Sequence, residues 1–259
     1  MTTPTLQDLT QSLLSQNLPP PHPAFLAPIL NPAGSQRIPP LQALTATAKV
    51  RLLNSDFTAP NILDQNKAHA FPAGFSDVTV AERKLAFDVV VQVRDVEDIG
   101  RSKWEQIESL ESERKGESTK GRQVIRILPS IADEAPSTAA TQVPAGAQQA
   151  AQMKSSGPFK LLLQDFRGAI VYGFDLHRVE KIGFPGTGNG AMSIGCKILL
   201  KKGTKVARGM VLLEPAFTVL LGGKIEGLDK GWREGREKSL REAIGDGKRR
   251  REDADVAAD

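Results

Sequence analysis

Between Pro158 and Lys224 short apolar runs alternate with tight-turn residues. Phe159 to Gln164, Ala169 to Leu176, Lys197 to Leu200, Met210 to Glu214 and Phe217 to Leu221 each have strand length, and Asp165 to Gly168 supplies a hairpin turn. In the second run, Ile170, Tyr172, Phe174 and Leu176 share one face, and Ala169, Val171, Gly173 and Asp175 share the other. The bulky face, Tyr172 included, is expected to point inward. Gly173 interrupts this strand without a side chain to pack, which predicts a bend or bulge at a barrel corner. One more strand is needed, and Phe87 to Arg94 (FDVVVQVR) fits, with its three consecutive valines. The reading is a small five-stranded barrel whose first strand is separated from the second by a long insertion. Connections above about 12 to 15 residues are uncommon in compact domains and are usually functional or disordered, so the insertion needs a reason.

Upstream, residues 1 to 75 read as short helices joined by proline-rich turns. Thr5 with Asp8 forms a cap before Leu6, Leu9, Leu13 and Leu14. Pro39 and Pro40 open a stronger helix with Leu41, Leu44, Ala48 and Leu52 on one stripe, and Phe25, Leu26, Ile29 and Leu30 form a third short segment. These stripes predict a small N-terminal helical bundle, marginal by itself. The fold class is therefore α+β.

The insertion, residues 95 to 157, is uneven. Ser102 and Glu105 make a capping box before a short amphipathic helix carrying Trp104, Ile107 and Leu110, and a tryptophan placed there calls for a partner surface. Glu111 to Arg122 is charged, Gln123 to Leu128 is a short apolar run, and Ser130 to Ser156 is rich in Ala, Gln, Ser and Pro. The last of these compositions buries too little apolar surface to offset the entropy of ordering, so residues 130 to 156 are expected to lack fixed structure, and the insertion to be partly disordered. Residues 76 to 226 then form the barrel domain, and 227 to 259 a charged helix and tail anchored by Leu228, Trp232 and Leu240. The cluster Lys248, Arg249, Arg250 and Arg251 reads as a nuclear import address or a phosphate contact, with a solvated terminus as the alternative.

Composition narrows the function classes. A net charge of +4 over 259 residues is too mild for a protein that coats nucleic acid, though weak contact with single strands or junctions is compatible with it. No apolar run approaches the roughly 20 residues that span a bilayer, and the N-terminus lacks a secretory pattern, so no membrane role is expected. The single cysteine, Cys196, cannot form an internal disulfide and fits a reducing compartment.

Catalytic chemistry is not visible. His22, His69 and His177 stand apart without cysteines or paired carboxylates at ligand spacing. Gly186 to Gly190 lacks the lysine and hydroxyl of a P-loop and reads as a barrel loop, and the glycines around Ser193 miss nucleophile-elbow spacing by one residue. Neither an enzyme, a cofactor nor a small-molecule substrate is expected. Small barrels bind single strands through a basic groove and exposed rings. Lys160, Lys201, Lys202, Lys205 and Arg208, with Lys197, supply charge for such contacts, and Phe166, Tyr172 and Phe184 are the candidate platforms. At 5% aromatic residues, core packing is the expected job for most of these rings.

The runs GPFKLLLQDFRGAIVYGFDL, GCKILLKKGTKVARGMVLLEP and AFTVLLGGKIEGL resemble the N-terminal region of the RecQ-mediated genome instability protein 1 family in a fungal form. The most specific stretches are Gly195 to Leu200, RGMVLLEP from Arg208, and Leu-Gly-Gly-Lys at Leu221 to Lys224. VVQVRDVEDIGRSKWEQIESL, HPAFLAPIL and PLQALTATAKVRLL match in order upstream. The resemblance implies an oligonucleotide-binding (OB) barrel in a nuclear, non-enzymatic subunit that joins a type IA topoisomerase III and a RecQ-family helicase. It further implies support for double Holliday junction dissolution in DNA repair, recombination and replication. The barrel would dock on the topoisomerase, with Lys197 matching a family lysine of the docking surface, and the insertion would reach towards the DNA gate. Trp104, Ile107 and Leu110 would then be the ordered anchor of that insertion. An independent single-stranded DNA-binding module is the alternative.

Overall fold

The computed structural model describes residues 4–31, 39–115, 157–184 and 192–256. Helix α1 (Leu6–Leu14) opens with a capping box: the Thr5 hydroxyl accepts from the Asp8 amide at 3.2 Å, and the Asp8 carboxylate accepts from the Thr5 amide at 2.9 Å. Helix α2 (Pro23–Leu30) begins with a proline, whose missing N–H is no loss there, and His22 Nδ1 accepts from the Ala24 amide. That gives His22 a structural job. Helix α3 (Leu41–Leu53) follows the Pro39-Pro40 pair.

The three helices do not close a core by themselves. Leu9, Leu13, Leu26, Leu44 and Leu52 share one buried cluster with Phe57 and with Val90, Phe166 and Leu199 of the barrel domain. The sheet thus supplies the apolar surface that three short helices lack.

The expected five-stranded barrel is replaced by a curled sheet of eight strands: β1 (Glu82–Lys84), β2 (Val89–Asp98), β3 (Phe159–Gln164), β4 (Ile170–Asp175), β5 (Lys197–Leu200), β6 (Lys205–Ala207), β7 (Met210–Leu213) and β8 (Thr218–Gly222). Their order is β1-β6-β7-β4-β3-β2-β5-β8, antiparallel except for the parallel pair β4 and β7. Every strand-length run in the sequence became a strand. The two additions, β1 and β6, are three-residue segments too short to show apolar alternation.

Strand β2 organises the rest. Its first half, Val89 to Gln92, pairs with β5, and from Gln92 to Asp98 it pairs with β3. Between Val93 and Asp95 the register slips by one residue, which is the β-bulge that lets one strand serve two neighbours. The strand was expected to end at Arg94. It continues to Asp98 because Val96 and Asp98 are still buried, so the insertion starts four residues later than expected.

Two expectations about β4 are corrected. Its inner face carries Val171, Gly173 and Asp175, whereas Ile170 and Tyr172 are 51% and 50% exposed. The register runs unbroken through Gly173, so no bulge lies there. A Cβ at Gly173 would sit 2.9 Å from Leu163 Cδ1 and 3.3 Å from Leu213 Cδ1. Curvature brings the neighbouring leucines into the space a side chain would need, and the strand turns its bulk outward. The β3–β4 hairpin forms as expected: buried Asp165 accepts from the Arg167, Ala169 and Phe71 amides, and Gly168 adopts φ +88°.

Helix α4 (Lys103–Lys115) starts at the expected box, where Ser102 Oγ accepts from the Glu105 amide and Glu105 accepts from the Ser102 amide. Helix α5 (Glu226–Val256) packs beside α4. The run Gln123 to Leu128, the rest of residues 116–156 and the glycine loop at 186–190 lie outside the described residues. Among the described residues no helix is long and apolar enough to cross a membrane.

Candidate functional site

Lys197 opens β5, facing Gln92 of β2 and Gly222 of β8. It was expected on a docking surface, yet its side chain is 0% exposed. Both faces of β5 are covered, one by the barrel core and the other by the helical unit, so every residue from Lys197 to Leu200 is buried. The ammonium donates to the Gly195 carbonyl at 2.6 Å and lies 4.7 Å from the centre of the Phe57 ring.

A polar seam continues from this point. Buried Gln92 accepts from the Phe57 amide at 3.1 Å and donates to Asp56 Oδ1 at 2.8 Å and to Gln164 Oε1 at 3.1 Å. Lys197, Gln92 and Asp56 therefore fix the chain that leaves α3 against the middle of the sheet. The Leu-Gly-Gly-Lys motif closes the same seam, since the Lys224 amide donates to Asn54 Oδ1 at 3.0 Å. Sequence reading missed Gln92 and Asp56 because their partners are distant in the chain. The signal within reach was a lysine flanked by Cys196 and Ile198 in a short run with no polar alternation, the pattern of a strand buried on both faces.

Burial pushes the Lys197 ammonium down to about 8, against the opposing pull of Cys196 and Asp56, and pushes the Cys196 thiol up to about 11. A thiol held there is inert at neutral pH. For Lys197 the folded state holds its proton less tightly than the unfolded chain, whose value is 10.5. Between these values the unfolded state binds more protons, so the contribution of Lys197 to stability rises with pH from about 8, and above 9.0 the raised Cys196 thiol, whose proton the folded state holds more tightly, begins to offset it. Urea midpoints at pH 7 and pH 9.5 are expected to show this rise, and Lys197→Met to remove it. A wild-type midpoint that stays flat or falls while the variant behaves identically would sink the assignment.

The expected insertion anchor splits in two. Trp104 is 64% exposed, and Leu110 is half-buried. Ile107, at 2% exposure, is committed to its own domain and is unavailable to a partner. Next to it Gln106, which carried no sequence signal, donates to the carbonyls of Asp98 and Arg101 at 2.9 and 3.1 Å and ties α4 to the end of β2.

The candidate nucleic-acid contacts also divide. Lys160 pairs with Glu97 at 2.6 Å and lies 5.2 Å from the Tyr172 ring centre, and Lys205 pairs with Glu214 at 3.6 Å. Lys201, Lys202 and Arg208 are exposed at the β5–β6 and β6–β7 turns, with no ion pair among the described residues. Phe166 is buried in the helical seam, and Phe184 stacks on Trp232 and meets Phe159 edge-on, so neither is a platform. Tyr172, expected inside, is the ring left exposed. Lys248 to Arg251 fall within α5, their side chains outside the described residues. His69 stacks on Phe87, and among the described residues no group of three metal-capable side chains occurs.

The chain as a whole is similar to known proteins. RecQ-mediated genome instability protein 1 of Schizosaccharomyces pombe is 26% identical over 147 residues, 56% of this chain and 59% of that protein. The match thus spans less than two thirds of that relative's length. The family model described as RMI1, N-terminal OB-fold domain matches residues 61–236. That stretch holds all eight strands, the insertion between β2 and β3, and the first third of α5. A curled sheet with this strand order and insertion, matched over most of its length, places the chain in the RMI1 N-terminal OB-fold family.

Proposed function

We propose that this chain is a non-catalytic, nuclear subunit of an assembly of a RecQ-family helicase and a type IA topoisomerase III. In this reading its OB-fold domain docks on the topoisomerase, the insertion between β2 and β3 acts at the DNA gate, and the assembly dissolves double Holliday junctions. Family membership and the name of the fission-yeast relative support a role in genome stability. The observation that carries the rest is the exposed Trp104, held on a rigid helix where the insertion leaves the barrel. An exposed tryptophan on ordered backbone loses little entropy on binding, and tryptophan is enriched among the residues that carry most of the energy of an interface. A segment that holds an open gate better than a closed one shifts that equilibrium by its difference in affinity and no more.

Co-elution of the full chain with its cognate topoisomerase III tests the docking. Trp104→Ala is expected to weaken the complex by about 2 kcal/mol, or roughly thirtyfold. Stability should change by less than about 0.5 kcal/mol, because the ring is mostly in solvent. Unaltered affinity in the variant would remove Trp104 from the interface.

The independent single-stranded DNA-binding module has one observation in its favour, the exposed Tyr172 ring beside Lys160. Tight single-strand binding without a partner, lost in Tyr172→Ala, would replace the docking reading with this one.

A further inference from the structure

We propose that α4 and α5 form a clamp that sets the direction in which the insertion leaves the barrel, with Arg236 as its positioning residue. This rests on the reading above, in which the insertion acts on a partner. Helix α4 has thirteen residues and three large apolar side chains, of which only Ile107 is fully buried. A helix of that length and composition is marginal in water. Its orientation must come from what grips it, and the grip is polar.

Arg236 is the centre of that grip. Its guanidinium lies against both the Phe184 and Trp232 rings, 3.7 and 4.5 Å from their centroids, and donates to Gln106 Oε1 at 2.9 Å. The amide nitrogen of the same Gln106 side chain is spent on the Asp98 and Arg101 carbonyls. One planar cation thus joins α5, the segment after β4, and α4 where it leaves β2. Trp232 is itself fixed by donating to Asp95 Oδ1 at 2.6 Å. Burial pulls the Arg236 guanidinium down to about 10, opposed by the carboxylates of Asp95, Asp98 and Glu97 near the end of β2. Further along, Arg241 pairs with Glu111 and Glu237, and Arg114 pairs with Glu237 at 3.4 Å. These contacts run along α4 towards its C-terminal end. The outer part, Glu237 and Arg241, lies beyond the stretch matched by the family model.

Plain stabilisation of the domain would be served by apolar packing between the helices. Here each link is directional, and a bidentate-capable, ring-stacked arginine is poorly replaced even by lysine. That geometry specifies an angle as well as an affinity.

The test compares full-length wild type with Arg236→Met, which keeps volume and removes the donors, and with Arg236→Lys, which keeps charge without the planar fork. Amide exchange of residues 103–115 is read against that of β3 and β4, alongside topoisomerase affinity and stimulation of decatenation. In both variants α4 amides should exchange at least tenfold faster, with β3 and β4 within twofold. Affinity should fall less than threefold, while stimulation falls at least fivefold. Unchanged α4 protection overturns the clamp, and a freed α4 with full stimulation overturns its role in direction. Failure of the wild type to bind or stimulate would instead sink the proposed function, leaving the clamp to stand or fall on exchange. If Arg236→Met loosens the whole domain, Glu111→Gln with Glu237→Gln opens the outer contacts and is judged by the same criteria.

Discussion

Lys197→Ala should lower the unfolding free energy by about 2–4 kcal/mol, while Lys197→Met leaves it within about 1.5 kcal/mol of wild type. The side chain is fully buried against Phe57, and truncation at Cβ opens a cavity the size of a long aliphatic stem. Methionine fills that space. It forfeits the bond to the Gly195 carbonyl but also removes a desolvated charge, and the two effects have opposite sign. Urea denaturation of both variants separates volume from charge. If methionine proves as damaging as alanine, the ammonium itself holds the seam. In the proposed docking, association with the topoisomerase should track stability across the pair, because Lys197 is buried beneath the helical unit it seats.

A larger effect is expected at the paired glycines of the Leu-Gly-Gly-Lys motif. Both adopt left-handed backbone, φ +89° at Gly222 and +87° at Gly223, where a side chain costs roughly 1–2 kcal/mol. Their surroundings differ sharply. Nothing lies within 4 Å of a Cβ at Gly222, whereas at Gly223 it would stand 2.2 Å from the Leu53 carbonyl oxygen. Backbone cannot yield there without lifting β8 away from the end of α3. Gly222→Ala should therefore cost about 1–2 kcal/mol and a few degrees in Tm, and Gly223→Ala more than about 4 kcal/mol. Equal melting temperatures for the two variants would show that the close approach is not what the motif protects.

How far the sequence could be read follows from the range of the forces involved. Apolar alternation and turn chemistry are local, and they located β2, β3, β4, β5, β7 and β8 and all three N-terminal helices. Strands β1 and β6 have no such pattern. They exist because Arg83 finds Val206 and Lys84 finds Lys205 across a ladder. Side-chain bulk points to the wrong face of β4, because curvature leaves room only for Gly173 between Leu163 and Leu213. The helix that carries Trp104 was legible because Ser102 and Glu105 mark its start locally. Gln106 and Arg236 were not, since neither residue type signals burial and their contact joins segments far apart in the chain.

The last rung of the β2–β3 ladder joins Asp98 to Phe159 across the whole insertion. Closing a flexible loop has an entropic cost that grows only with the logarithm of its length, so doubling or halving it changes that cost by about 0.6 kcal/mol. Apart from α4, which is packed on the domain through Ile107 and Gln106, the number of residues that pass between these two strands therefore bears little on the stability of the fold. Reach at this site is a free variable: it can be lengthened or trimmed to fit the geometry of a partner while the barrel that carries it keeps its stability.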